Sequence, residues 1–187
     1  MIISLCGTHG TGKTTILNKM RHNGQVCVEE PTRILMPMLG WNNPYDFIKK
    51  YGIAFYESII MNQWAFLLQT SYRNFEKNIY VDTSPIDNLA YYFLYRTEEE
   101  KQYEEIFCKM CKLYCSYIDK YILFKCGMFE FVADSMRSVN KQAEHEKIIV
   151  NLMDKFELNY YVIKQKEVLS REKEIYLYLE EVRDEKF

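Results

Sequence analysis

The chain has 187 residues, of which 48% are apolar, and 24 Lys and Arg against 26 Asp and Glu give it a net charge of −2. This length suits one domain with an ample core. The slightly negative net charge argues against a protein whose main function is to bind a long polyanion such as a nucleic acid. No apolar run approaches the roughly 20 residues of a membrane span, and the first strand is predicted from residue 2, so we expect a cytoplasmic protein without a signal peptide or membrane partner.

The chain opens with MIISLC, an apolar run typical of a β-strand, and continues into GTHGTGKTT at residues 7–15. This stretch matches the pattern G-x-x-x-x-G-K-[ST], and the helical spacing after it completes the strand–loop–helix context that the pattern requires. Glycines let backbone N–H groups point at an anion, and the helix adds the positive end of its dipole. Lys13 is expected to bind the β- and γ-phosphates of ATP and the Thr14 hydroxyl to ligate Mg²⁺. The predicted phosphate-binding residues are Gly7, Thr8, His9, Gly10, Thr11, Gly12, Lys13, Thr14 and Thr15.

Four further strands are predicted downstream, in the segments 25–30, 78–85, 119–126 and 158–164. Helical patterns separate them, as one or two helices at 45–77 and as single helices at 85–95, 99–118, 138–156 and 167–186. Strands that alternate with helices indicate an α/β domain over 1–187, with a five-stranded parallel sheet flanked by helices. Ligands of such sheets bind at the carboxyl ends of the strands, so the residues that follow each strand are candidates for the site.

Acidic residues end the second and third predicted strands, at Glu30 and Asp82. In phosphoryl transfer, carboxylates hold Mg²⁺ near the phosphates or accept the proton of the acceptor hydroxyl. We therefore expect both acids to be catalytic and to contact the acceptor, and Asp82 to bind the metal as well. Which of the two is the base stays open. The alternative is that Asp82, Thr83 and Ser84 cap the next helix and that Glu30 is a solvated loop acid.

Two arginines occupy positions from which they could compensate phosphate charge. Arg33 follows Glu30 by three residues, and Arg137 comes after the fourth strand, at the start of a long helical pattern. Arginine binds phosphate through two parallel N–H donors. We expect Arg33 to bind substrate, with pairing to the local acids as the alternative. We expect Arg137 to be a catalytic residue of a lid at about 127–140, with a surface arginine as the alternative.

Three of the six cysteines, Cys108, Cys111 and Cys115, share one face of a predicted helix, which raises the question of a metal site. No histidine lies near them in sequence, and a structural zinc ion usually takes four ligands. We expect reduced thiols that pack as small core side chains.

Four segments, LCGTHGTGKTT, VEEPTRIL, VDTSPIDNLAYYF and FEFVADSMRS, occur in an order similar to that of P-loop kinases of the ribosylnicotinamide kinase type. The chain also resembles the deoxynucleoside and thymidylate kinases, in which Glu-Pro after strand two lies at the acceptor site. The resemblance implies a P-loop kinase fold with a small lid, ATP and Mg²⁺ as cofactors, and a nucleoside or nucleotide as acceptor. It matches Glu30 to the acceptor-site acid, Arg33 to the family arginine, Asp82 to the strand-three acid, and Asp134 and Arg137 to the lid pair. The chain departs from this pattern at Thr83, where nucleoside kinases commonly have arginine, and in its single lid arginine.

The function expected from these features is an ATP-dependent kinase acting on a nucleoside, a nucleoside monophosphate or a related small molecule. A nucleotide-binding switch is an alternative, although the sequence lacks an Asn-Lys-x-Asp motif and an Asp-x-x-Gly after strand three. A kinase of nucleic-acid ends or of modified bases in DNA is another, which the acidic balance disfavours. The sequence leaves open the acceptor, the choice between ATP and GTP, and the formation of a homodimer.

Overall fold

The computed structural model describes residues 1–40, 44–128 and 141–184. The strands are β1 (Ile2–Cys6), β2 (Val26–Val28), β3 (Ile79–Asp82), β4 (Lys120–Leu123) and β5 (Tyr160–Val162). The helices are α1 (Lys13–His22), α2 (Pro31–Met38), α3 (Pro44–Tyr51), α4 (Ile53–Arg73), α5 (Pro85–Tyr95), α6 (Glu104–Cys115), α7 (Gln142–Lys155) and α8 (Val168–Asp184), with a 3₁₀ helix at Glu99–Tyr103. The predicted lid at 127–140 lies outside the described residues except for Gly127 and Met128, so it stays a prediction.

All five strands are parallel and lie in the order β2-β3-β1-β4-β5. Leu5 of β1 pairs with Asp82 of β3, and Val28 of β2 pairs with Val81 of β3. This register brings the carboxyl ends of β1, β2 and β3 to one edge of the sheet. The predicted five-stranded parallel sheet flanked by helices is confirmed.

Apolar side chains cover both faces of the central strand β1, which explains why its sequence reads as a nearly continuous apolar run. On one face, Ile3 and Leu5 pack with the buried side chains of α1 and α8. On the other face, Cys6 and Leu123 pack with α4, α5, α6 and α7. The strand is thereby fixed between two helical layers, and the loop at its carboxyl end begins from a rigid support. No helix in the described ranges is long and apolar enough to cross a bilayer.

One helix is missing from the sequence prediction. Helix α2 begins at Pro31, directly after the predicted second strand at 25–30, where no helix was expected. Pro31 is its first residue, and proline fits there because an N–H at that position has no partner within the helix. The pattern at 45–77, predicted as one or two helices, forms two, α3 and α4. They are separated by Gly52, which has a φ of +51° and faces Glu100 so closely that a side chain would collide with it.

Candidate active site

The loop between β1 and α1 has the backbone of a phosphate-binding loop, because all three of its glycines have positive φ and α1 begins at Lys13. A side chain on Gly7 would collide with the carbonyl group of Phe124, so only glycine fits at the end of β1. Lys13 Nζ donates to the carbonyl oxygens of Gly7 at 2.5 Å and Thr8 at 2.8 Å. The ammonium group is therefore held against the backbone of the loop itself.

Asp82, at the end of β3, faces the first turn of α1. Thr14 Oγ1 donates to Asp82 Oδ2 at 2.7 Å. Asp82 is only 1% exposed, and no hydrogen-bond partner for its Oδ1 exists among the described residues. Mg²⁺ prefers oxygen ligands, so a hydroxyl group beside a carboxylate with an unpartnered oxygen fits this ion. The structure thus brings together the two residues that the sequence predicts as metal ligands.

The cap of α5 is formed by Ser84, not by Asp82. Ser84 Oγ accepts from the N–H of Asp87 at 3.2 Å, and the Asp87 carboxylate accepts from the N–H of Ser84 at 2.6 Å, which makes a capping box. Between Asp82 and this cap lies Thr83, which is 4% exposed and has a φ of +72°. Such a conformation is strained for threonine, and Gln63 stabilises it by donating to the Thr83 carbonyl.

Asp87 contacts the phosphate loop, which the sequence analysis did not predict. Its Oδ1 accepts from the N–H of Gly7 at 2.7 Å, and its Oδ2 accepts from Ser84 Oγ at 2.6 Å. Complete burial raises the pKa of Asp87, while the charge of Lys13 and the hydrogen bonds from Ser84 and Gly7 act in the opposite direction. The pattern Ser-x-x-Asp before an apolar run could have identified the capping box. It carries no information about Gly7, which lies 80 positions away.

Arg171 of α8 is a second contact that sequence reasoning missed. It is fully buried, its Nη1 donates to the Thr11 carbonyl at 2.9 Å, and its Nε donates to the Gln165 carbonyl at 2.7 Å. Burial lowers the pKa of this guanidinium. The phosphate loop is therefore held from α8 as well as from α5.

Glu30 and Arg33 lie at the same edge of the sheet, at the start of α2. The Glu30 side chain is 14% exposed, and its Oε2 lies 3.4 Å from Arg33 Nε. Glu29 instead forms an ion pair with Arg21 at 2.7 Å, with both side chains exposed. Of the two adjacent acids, Glu30 is therefore the less exposed one. It follows β2, which pairs with β3, the strand that ends in Asp82. Asp134 and Arg137, the predicted lid pair, lie outside the described residues.

Cys111 and Cys115 are buried in the core, where Cys111 Sγ donates to the carbonyl oxygen of Pro85 at 3.6 Å. Burial raises the pKa of Cys111 well above its ordinary value and that of Cys115 to about 12, so both thiols stay protonated. All six cysteines are free, and no group of three or more metal-ligating side chains occurs within the described ranges. The contacts of this face of α6 are those of core side chains.

A family model described as an AAA domain matches residues 2–171. No curated protein matches the chain. Among solved structures, the chain is similar to NadR in complex with NR, with a TM-score of 0.67 and 17% identity over 88% of this chain and 43% of that one. It is similar to deoxyadenosine kinase from M. mycoides with the products dCMP and a flexible dCDP, with a TM-score of 0.67 and 17% identity over 97% and 100% of the two chains. Thymidylate kinase from Ehrlichia chaffeensis gives a TM-score of 0.61 and 14% identity over 96% and 98%.

The chain spans 43% of the NadR chain but nearly the whole length of the two kinases. At identities of 14 to 17%, this likeness establishes the fold, and the predicted resemblance to P-loop kinases is confirmed at that level. The family match extends from the first strand to Arg171 in α8 and so includes the phosphate loop, Glu30 and Asp82. The chain therefore belongs to the family described as an AAA domain, and it has the fold of the P-loop kinases.

Proposed function

We propose that the protein is an ATP-dependent kinase that phosphorylates a nucleoside, a nucleoside monophosphate or a related small molecule. The observation that carries this proposal is the contact between Thr14 and Asp82 beside Lys13, at the carboxyl edge of β1 and β3. The arrangement combines a phosphate loop, a lysine ammonium group bound to that loop and a pair of oxygen ligands suited to Mg²⁺. The similarity of fold to deoxyadenosine kinase and thymidylate kinase supports the same class of acceptor.

On the donor side, residues 7–15 would bind the phosphates of ATP through backbone N–H groups and the N-terminal end of α1. Lys13 would exchange its contacts with the loop carbonyls for contacts with the β- and γ-phosphates. Mg²⁺, held by Thr14 Oγ1 and Asp82, would supply charge that neutralises the phosphate oxygens during transfer. Together these residues would hold the triphosphate so that the positive charge of Lys13 and Mg²⁺ stabilises the ADP leaving group.

On the acceptor side, the acceptor hydroxyl oxygen would bond to the γ-phosphorus while the bond from that phosphorus to the bridging oxygen of ADP breaks. We assign the base that takes the hydroxyl proton to Glu30, because the hydrogen bond from Thr14 favours a metal-binding role for Asp82. Arg33, in contact with Glu30, would bind an anionic group of the acceptor. Arg137 is proposed as the catalytic arginine of a lid at about 127–140, within one kinase domain that spans 1–187.

The test is a turnover assay with Mg²⁺ and either ATP or GTP against a panel of nucleosides, nucleoside monophosphates and oligonucleotides. We expect ADP formation that depends on a nucleoside or nucleotide acceptor, with Lys13→Ala as the inactive control. Nucleotide binding without turnover of any acceptor would instead indicate a switch protein. Transfer to oligonucleotides alone would indicate a kinase of nucleic-acid ends or of modified bases.

A further inference from the structure

His145 in α7 is fully buried, and it has no role in the proposed reaction. Its Nε2 lies 3.3 Å from the carbonyl oxygen of Asp87 in α5, and its Nδ1 lies 3.1 Å from the hydroxyl oxygen of Thr8 in the phosphate loop. Its ring packs against Tyr91 with 3.8 Å between ring centroids. One side chain therefore joins two helices to the loop.

The hydrogen-bond roles of this imidazole follow from its partners. A carbonyl oxygen can only accept, so Nε2 carries the proton and donates it to Asp87. Burial lowers the pKa of His145 to about 3, so the ring is neutral near pH 7 and its Nδ1 has no proton. Nδ1 must then accept from Thr8 Oγ1. The Thr8 hydroxyl, itself fully buried, is thereby bound to α7.

Other groups of the phosphate loop are also bound by α5 and α7. Asp87 accepts the N–H of Gly7, the Tyr91 hydroxyl lies 2.9 Å from His9 Nδ1, and Gln142 donates to the His9 carbonyl at 2.6 Å. We call Asp87, Tyr91, Gln142 and His145 the loop brace. When these groups of the loop are fixed by the two helices, its remaining N–H groups are already in position before a ligand binds. The loop then loses less conformational entropy on binding.

We propose that His145 is a positioning residue for nucleotide binding, which holds Thr8 and through it the phosphate loop in the conformation that receives the phosphates. This inference rests on the proposed nucleotide-binding function of the loop. His145 does not contact the nucleotide, so its loss weakens triphosphate binding through the shape of the loop. Residues that orient the ligands of metal sites typically change metal affinity by about 10- to 100-fold, and we expect a comparable effect here, near the lower end of that range.

The test compares three variants. His145→Phe keeps a ring against Tyr91 and removes both polar contacts, whereas His145→Gln keeps one donor and one acceptor. Leu152→Ala is the matched control, because Leu152 is a buried residue of the same helix that packs in the core. The dissociation constant of AMP-PNP with Mg²⁺ is measured by calorimetry, well below the melting temperature of each protein.

We expect His145→Phe to raise this dissociation constant about tenfold and His145→Gln to restore part of the loss. Leu152→Ala should lower the melting temperature while it leaves the affinity unchanged. If His145→Phe does not fold, the affinities of His145→Gln, Thr8→Val and the double variant that combines them are compared instead. Because both substitutions act on the same hydrogen bond, we expect the double variant to lose less affinity than the sum of the two single losses.

Two results would overturn the inference about His145 but not the proposed kinase function. One is wild-type affinity in a folded His145→Phe protein, and the other is a loss of affinity in Leu152→Ala as large as that in His145→Phe. Binding by the wild type without transfer to any acceptor would overturn the proposed kinase function alone. A wild-type protein that binds no nucleoside triphosphate would overturn both.

Discussion

The substitution Asp82→Asn separates a metal-binding role of Asp82 from a structural one, because the two side chains have the same size. Asparagine keeps an oxygen that can accept the 2.7 Å bond from Thr14, but the bond loses its charge assistance, at a cost of about 1 kcal/mol. The other oxygen, which lacks a hydrogen-bond partner among the described residues, becomes an amide nitrogen that is equally buried but neutral. The relief of this buried charge offsets the weaker bond and the cost of burying the amide N–H donors. We therefore expect the free energy of unfolding to change by about 1 kcal/mol or less.

Activity should respond far more strongly than stability. Loss of a group that stabilises charge in the transition state typically lowers kcat by about 10²–10³-fold, and excess Mg²⁺ should restore part of it. The assay is turnover over a titration of Mg²⁺, with thermal unfolding measured on the same samples. For a chain of this length, 1 kcal/mol corresponds to about 2–4 °C in melting temperature. Turnover within twofold of the wild type at every Mg²⁺ concentration would refute the metal assignment, and a melting temperature lowered by more than about 10 °C would indicate a structural residue.

Lys13→Ala should abolish phosphoryl transfer while thermal unfolding shows an intact fold, and half of the wild-type turnover would contradict the assignment of the phosphate loop. Glu30→Gln should lower kcat by about 10²–10⁴-fold without rescue by Mg²⁺, because a general base is lost. Arg137→Lys keeps the charge but loses the planar guanidinium, so kcat should fall with little change in ATP affinity, and a fully active Arg137→Ala enzyme would refute this role. Because the pKa of His145 is about 3 in the fold against an ordinary value of 6.5, the free energy of unfolding should decrease as the pH falls from about 6.5 toward 3, by at most about 1.4 kcal/mol per pH unit. Asp87, whose pKa is raised, acts in the opposite direction, so the measurement is the difference in pH dependence between the wild type and His145→Phe, which should lack the His145 contribution.

The sheet could be predicted from the sequence because each strand is a short apolar run and each helix has its own periodicity. Both signals are local, and the alternation of strands and helices then leaves few topologies. Helix α2 was missed because the two acids before it were assigned to the end of the second strand, and no helix was predicted between residues 30 and 45. Pro31 at the first turn is a signal for the start of a helix, but the helix has only eight residues.

The site could be predicted only in part. The phosphate loop is a contiguous motif, and the approach of Asp82 to α1 follows from the rule that parallel strands end at one edge. The contacts of His145 with Thr8 and of Arg171 with Thr11 join residues 137 and 160 positions apart, and they depend on how α7 and α8 pack. The spacing of His145 with Ile149 and Leu152 places it on the buried face of α7, but it does not identify its partners.

The carboxylates of Asp87 and Asp82, next to the phosphate loop, differ in whether an oxygen atom is available to bind a ligand. Asp87 accepts from the N–H of Gly7 and from both the N–H and the hydroxyl of Ser84, so a ligand could bind it only by breaking the contacts that hold the loop. Asp82 has an oxygen without a partner in the described part of the chain and is therefore the acid that can take a metal ion. The strand order β2-β3-β1 then arranges the proposed chemistry along the edge of the sheet. In the proposed reaction the phosphates would lie at the end of β1, the metal ion beside β3, and the acceptor with its base Glu30 beyond β2. The transferred group would then pass along the carboxyl edge of the sheet from β1 toward β2.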